Sequence, residues 1–260
     1  MRHNIIMAAV AMAAGVAFAE SVTSDNIVGY AKTELAGKKY NATGACFITP
    51  GASDDGTFTL ANVTPTAYDY ESDNLFVMNP DDSSADAMLI YLDAATAAAF
   101  EMTAGWYDGS SLDPYNNVEW NIGTGFMTSF DSGTPDFNYA GEVFNQAYSV
   151  DCKGLKYNII PNGLPRAITL SEVTATGYDY ESDNLYIMNP DDSSADAMLI
   201  YLDAATAAAF EMTAGWYDGS SLDPYADYEV APGAGFMTSF DGGNVVLNFP
   251  KVTTSATEGE

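Results

Sequence analysis

The chain has 260 residues, with 36 Asp and Glu against eight Lys and Arg, giving a formal net charge of −28. That balance excludes nucleic acid and anionic membrane surfaces as partners, because both are bound through Lys and Arg that neutralise phosphates. Two cysteines are too few for a thiolate zinc site, and the single histidine is His3, at the start of the sequence.

Arg2 and His3 form a short basic start, Ile5–Ala17 is apolar, and Ala17-Phe18-Ala19 is a small-x-small cleavage site. This is the pattern of a secretory signal peptide over residues 1–19. The apolar run is shorter than the roughly 20 residues of a spanning helix, so no membrane insertion is expected after cleavage. A mature chain beginning at Glu20 would carry no histidine and a net charge of about 7 − 36 = −29. Its expected place is extracellular or on the cell surface. Charge of this size keeps copies soluble and mutually repelling, and salt screens it, with a Debye length of about 3 Å at 1 M.

Residues Tyr68–Tyr115 recur as Tyr178–Tyr225, 110 positions on, with two changes in 48: Phe76 becomes Tyr186 and Val77 becomes Ile187. The correspondence extends outward. Leu60–Val63 matches Leu170–Val173, Gly125–Phe130 matches Gly235–Phe240, and Lys39-Tyr40-Asn41 matches Lys156-Tyr157-Asn158 after a slip in loop length. The reading is two tandem domains, 20–142 and 143–252, after the signal peptide and before a disordered tail at 253–260. Each is long enough for its own core.

In chain order, Asn26–Leu35, Asn74–Met78, Met88–Leu92, Gly125–Phe130, Phe144–Val150 and Asn244–Phe249 read as strands, separated by Asp/Asn/Gly/Pro turns. Ala94–Met102 and its copy Ala204–Met212 break the pattern. Asp93 is a good N-cap and Ala the best helix former, so about two turns of helix are expected, docked through Phe100 and Met102. An Ala-rich strand is the alternative. The fold class is mainly β: two tandem β-sandwich or barrel-like domains from an internal duplication, each with one short Ala-rich helix.

Several short motifs carry a resemblance: Asn26-Ile27-Val28-Gly29-Tyr30, Gly105-Trp106-Tyr107-Asp108, Gly123-Thr124-Gly125-Phe126 and Tyr139-Ala140-Gly141-Glu142-Val143. On these the chain resembles a loosely defined group of secreted bacterial tandem β-repeat proteins with no assigned activity. The resemblance implies secretion and repeat architecture and nothing about chemistry. The second repeat departs from it, ending Phe249-Pro250-Lys251-Val252.

Four constellations are candidates for function. The first is acidic. If Tyr68–Asn74 is extended, Asp69, Glu71 and Asp73 share a face, with Asp81, Asp82 and Asp86 following. The copies are Asp179, Glu181, Asp183, Asp191, Asp192 and Asp196. Grouped carboxylates suit Ca²⁺, and a solvated edge that discourages strand aggregation explains them equally. The second is aromatic: Trp106 and Trp216 would serve a platform for glycans, or fill the cores. Trp120, replaced by Val230, weakens any platform duplicated with it.

The third is the cysteine pair. Cys46 and Cys152 would form an inter-repeat disulfide, an intermolecular one, or stay as buried thiols. The fourth is Asn26, Ile27, Val28, Gly29 and Tyr30, a strand able to complete a neighbour's sheet. No triad can form without a mature histidine, no Gly-x-Ser-x-Gly or P-loop sequence is present, and close carboxylate pairs arise by chance among 36 acids. The sequence therefore predicts a non-enzyme: a secreted structural protein, a subunit of an extracellular filament, fibre or surface layer assembled from copies of itself head to tail. A secreted carbohydrate-binding module is the alternative.

Overall fold

The computed structural model describes residues 28–35, 40–52, 56–79, 84–131, 135–152, 157–189, 194–241, 243 and 245–251. The signal segment and the tail at 253–260 lie outside the described residues. The first repeat runs β1 (Val28–Glu34), β2 (Tyr40–Gly44), β3 (Thr57–Thr59), β4 (Val63–Thr66), β5 (Asn74–Met78), β6 (Ala85–Leu92), α1 (Ala94–Ala99), β7 (Gly105–Asp108), β8 (Glu119–Asn121), β9 (Gly125–Ser129) and β10 (Asp136–Glu142). The second runs β11 (Tyr148–Cys152), β12 (Asn158–Pro161), β13 (Ile168–Thr169), β14 (Thr174–Thr176), β15 (Asn184–Met188), β16 (Ala195–Leu202), α2 (Ala204–Ala209), β17 (Gly215–Asp218), β18 (Glu229–Val230), β19 (Gly235–Ser239) and β20 (Val245–Phe249).

Each half builds the same three antiparallel sheets. In the first the orders are β1-β10-β4, β2-β9-β5-β6-β7 and β3-β8; in the second they are β11-β20-β14, β12-β19-β15-β16-β17 and β13-β18. None of these sheets takes strands from both halves. The predicted strand Phe144–Val150 is displaced: β11 starts at Tyr148, and Phe144 is instead a buried residue ahead of it. No helix among the described residues is long and apolar enough to cross a membrane.

Alternation sets the faces of the five-stranded sheet. On β6, Ala87 and Leu89 point into the core shared with the three-stranded sheet, while Ile90 and Leu92 point to the other face, beneath α1. Asp93 caps α1 by accepting the Thr96 N–H at 2.7 Å. The helix is shorter than the sequence predicts and docks through Ala97, with Met102 packed on the same cluster, as predicted. Phe100 closes its C-terminus, Glu101 follows with φ +59°, and the phenyl ring is left largely exposed. The small ribbons show paired replacement: Phe58 opposite Trp120 in the first half becomes Ile168 opposite Val230 in the second.

The two halves meet through the same surface of each. Ala42 on β2 and Ile159 on β12 hold equivalent positions, as do Met127 on β9 and Met237 on β19, and all four belong to one apolar cluster. The flanks repeat the reciprocity. The turn before β9 puts Gly123 against Val150 of β11, and the turn before β19 puts Gly233 against Thr33 of β1, the residue equivalent to Val150. Gly44 N–H donates to Gly233 O at 2.9 Å, Thr43 Oγ1 to the same carbonyl at 2.9 Å, and Thr33 Oγ1 to Pro232 O at 2.5 Å. Like surfaces meeting reciprocally form a closed contact, so neither half has this surface left for a second chain.

Candidate functional site

The predicted acidic face does not form. Residues 68–73 make a turn rather than a strand, with the N–H groups of Ser72 and Asp73 both donating to Asp69 O at 3.2 and 2.7 Å. Asp73 swings inward and is buried, accepting from Asp69 N–H at 2.8 Å and from Asp131 N–H at 3.1 Å. Burial raises its pKa against these donors, which lower it. Asp183 repeats the arrangement with Asp179 and Asp241. These carboxylates pin a turn to the β9–β10 and β19–β20 connections. Asp69, Glu71, Asp179 and Glu181 are exposed, as are Asp86 and Asp196 on their strands. Asp81, Asp82, Asp191 and Asp192 lie outside the described residues. Among the described residues no three acids, cysteines or histidines gather as a metal site would require, so the Ca²⁺ expectation finds no site there.

The glycan platform is also corrected. Trp106 is 0% and Trp216 1% exposed. Each indole N–H donates to a backbone carbonyl across the sandwich, Val63 O and Val173 O, both at 2.8 Å. In Gly-Trp-Tyr the tryptophan enters the inter-sheet core, and the next residue, Tyr107 or Tyr217, goes under the helix.

Cys46 and Cys152 are free buried thiols in different cores, so of the three arrangements expected the structure has the third and not the inter-repeat disulfide. Burial pushes both thiols up to about 12.

The predicted assembly strand is used within its own chain. Asn26 and Ile27 lie outside the described residues. Val28, Gly29 and Tyr30 pair with Glu142, Gly141 and Ala140 of β10, and Tyr30 Oη donates to Asn138 Oδ1 beside the same strand.

What the structure does gather is a groove on the outer face of the second five-stranded sheet, between the inter-repeat contact and the helix. In the second repeat it encloses about 310 Å³, with Ile200 and Leu202 as floor and Met198, Phe210, Leu222 and Glu181 among its walls. Met198 lies opposite Tyr186 on β15. Phe210 is 48% and Leu222 45% exposed. The Phe210 ring is held edge-on by Tyr180 at 5.6 Å. Leu222 is presented by a loop in which Asp218 Oδ1 accepts from Ser220 N–H and Ser221 N–H, each at 2.9 Å. Those bonds, with the Ser220 hydroxyl first among them, hold Asp218 below the usual carboxylate range. Leu222 itself sits at φ +60°, a left-handed conformation costly for a residue with a γ-branched chain.

Every groove residue has an identical counterpart in the first repeat, where Met88, Phe100 and Leu112 are likewise exposed and Tyr70 braces Phe100 at 5.8 Å. Neither of the two changes in the repeated stretch lines the groove, although Tyr186 pairs across the strands with the wall residue Met198, as Phe76 does with Met88. Phe76 packs on the inter-repeat apolar cluster, and Val77 lines a second cleft of about 430 Å³ between the halves. Sequence reasoning assigned Phe100 to the sheet and so missed the groove. The available signal was a run of large apolar residues conserved in place between copies.

Comparison with protein-family models, with curated proteins and with solved structures returns no match.

Proposed function

We propose that the protein is a secreted structural subunit of an extracellular filament, fibre or surface layer, in which each chain contributes two equivalent contacts. The observation that carries this reading is the outward groove walled by Met198, Phe210 and Leu222, whose counterparts Met88, Phe100 and Leu112 are equally exposed on the first repeat. A chain with two like contacts links neighbours on both sides, and that is the minimum for an extended assembly. Head-to-tail growth through the inter-repeat surface is not part of the proposal, since that surface closes on itself. The signal pattern and the acidity support the extracellular setting, where salt screens repulsion between subunits.

Electron microscopy of material taken from the exterior of producing cells, without denaturant, tests this. Regular polymers whose repeat matches one chain are expected. Dispersed two-lobed particles in that material would end the reading.

A further inference from the structure

We propose that each groove docks a cationic polypeptide segment carrying an apolar side chain, so that one chain binds two such segments at equivalent places. The argument begins with what stays uncovered. Apolar groups of this size are ordinarily buried or scattered; here Met198, Phe210 and Leu222 converge on one concavity over an apolar floor. Tyr180 fixes the aromatic wall, and a strained Leu222 is held in place by the Asp218 loop. A preformed apolar pocket of this volume lies at the lower end of the usual range for ligand sites, roughly 300–1,000 Å³. It suits one or two side chains rather than a whole domain.

Charge chooses the occupant. The stretch Tyr68–Tyr115, which builds the first groove, contains ten acids and no Lys or Arg. There is no Lys or Arg between Lys39 and Lys153, nor between Arg166 and Lys251. Glu181 stands in the groove wall, Glu211 follows Phe210, and Asp218 and Asp223 flank the Leu222 loop. An apolar floor under a single-sign rim attracts the opposite charge and repels its own. A second copy of this chain would bring the same acidic rim against itself. A segment with Lys or Arg on either side of Leu, Phe or Met meets both requirements. The inference rests on the two-contact reading only for its biological use and names the chemistry of what the contacts hold.

The test uses the chain from Glu20 to Glu260 and a short peptide with a central Leu-Leu pair between lysines, titrated by calorimetry. Two peptides per chain are expected, with affinity falling as salt rises. The same peptide with Glu for Lys should not bind, and with Gly for Leu it should bind about tenfold or more weakly, the worth of the lost apolar contact. Phe210→Ser should leave one site, and Phe100→Ser with Phe210→Ser neither. Leu112→Ser with Leu222→Ser provides the same test at residues that take no part in the helix. Equal binding of the Lys-Gly peptide, or undiminished binding by either double variant, would mean diffuse attraction to an acidic surface and overturn the proposal. So would self-association of the chain abolished by the Phe variants, which would make a second copy the occupant. Peptide binding without polymers in native material would remove the filament reading alone, and polymers without peptide binding would remove this one.

Discussion

Gly123 lies so close to Val150 that a Cβ at position 123 would come within 2.5 Å of Val150 Cγ2, across the junction of the two repeats. Its φ of +89° is shared by Gly51, where a Cβ would meet nothing within 4 Å. The pair separates backbone strain from packing. Gly51→Ala should cost about 1 kcal/mol through conformation alone, and Gly123→Ala about 1–3 kcal/mol more, through conformation and overpacking. Gly233→Ala should behave like Gly123→Ala, because its Cβ would come 2.9 Å from Gly44 O. Thermal unfolding of the three variants reads this directly; equal losses at 51 and 123 would mean that the halves are not tightly packed.

The tryptophans are structural, and their substitution should register as stability. Trp216→Phe removes the donor to Val173 O, an accepted bond of 2.8 Å in a buried site, at a cost of about 1–3 kcal/mol. Trp216→Ala should cost about 3–5 kcal/mol. Urea unfolding gives both figures. Added oligosaccharides should leave the tryptophan emission unchanged, and a saturable change would return the indoles to a binding role.

Glu172 should give the second repeat an acid sensitivity that the first lacks. Arg166 pairs with it at 2.6 Å, and its carboxylate also accepts the Thr169 N–H at 3.1 Å; the Arg166 bond first and the Thr169 bond less strongly hold it below the usual value. A lowered folded pKa means stability that is present above pH 4.5 and lost as pH falls through the lowered value. Glu172→Gln should lose about 0.5–1 kcal/mol at pH 7, a modest amount because the pair is partly exposed, and should flatten the acid limb. Asp73 acts in the opposite sense. Its raised pKa favours the folded state below pH 3.8, and that contribution is lost as pH rises through the raised value. Thermal midpoints from pH 7 down to pH 3 for the wild type and Glu172→Gln would show whether the difference closes as predicted.

The two thiols should be silent in the folded chain. Buried, not joined in a disulfide and pushed up to about 12, they are thiols rather than thiolates at neutral pH and so poor nucleophiles. A thiol reagent should titrate none in buffer and both in denaturant, and reductant should not shift the melting temperature. A fall in melting temperature on reduction would establish a disulfide.

Local pattern was legible where a residue's neighbours in sequence fix its conformation. Asn74–Met78 is β5 to the residue, Asp93 caps α1, and Gly125–Phe130 overlaps β9. The Tyr68–Asn74 segment failed because alternation was assumed for a stretch whose Asp69 carbonyl and Asp73 carboxylate instead close a turn on themselves. The helix was found and its contact half judged: Met102 packs beneath it, while Phe100 at its C-terminus stays largely exposed.

The sequence by itself determined the duplication, the mainly β character, the acidity and the absence of Lys and Arg from the near-identical stretch of each repeat, because these depend only on order and composition. Tertiary structure alone decided that Trp106 and Trp216 are core, that Cys46 and Cys152 lie in separate cores, and that Val28–Tyr30 completes its own sheet. It also decided that the repeats meet through equivalent surfaces at Ala42 and Ile159, leaving Phe100 and Phe210 outside. The physical reason is common to all four. Which of two apolar side chains is buried, and against what, is set by packing between segments distant in the chain, and copies identical in sequence must still share one contact reciprocally to close it.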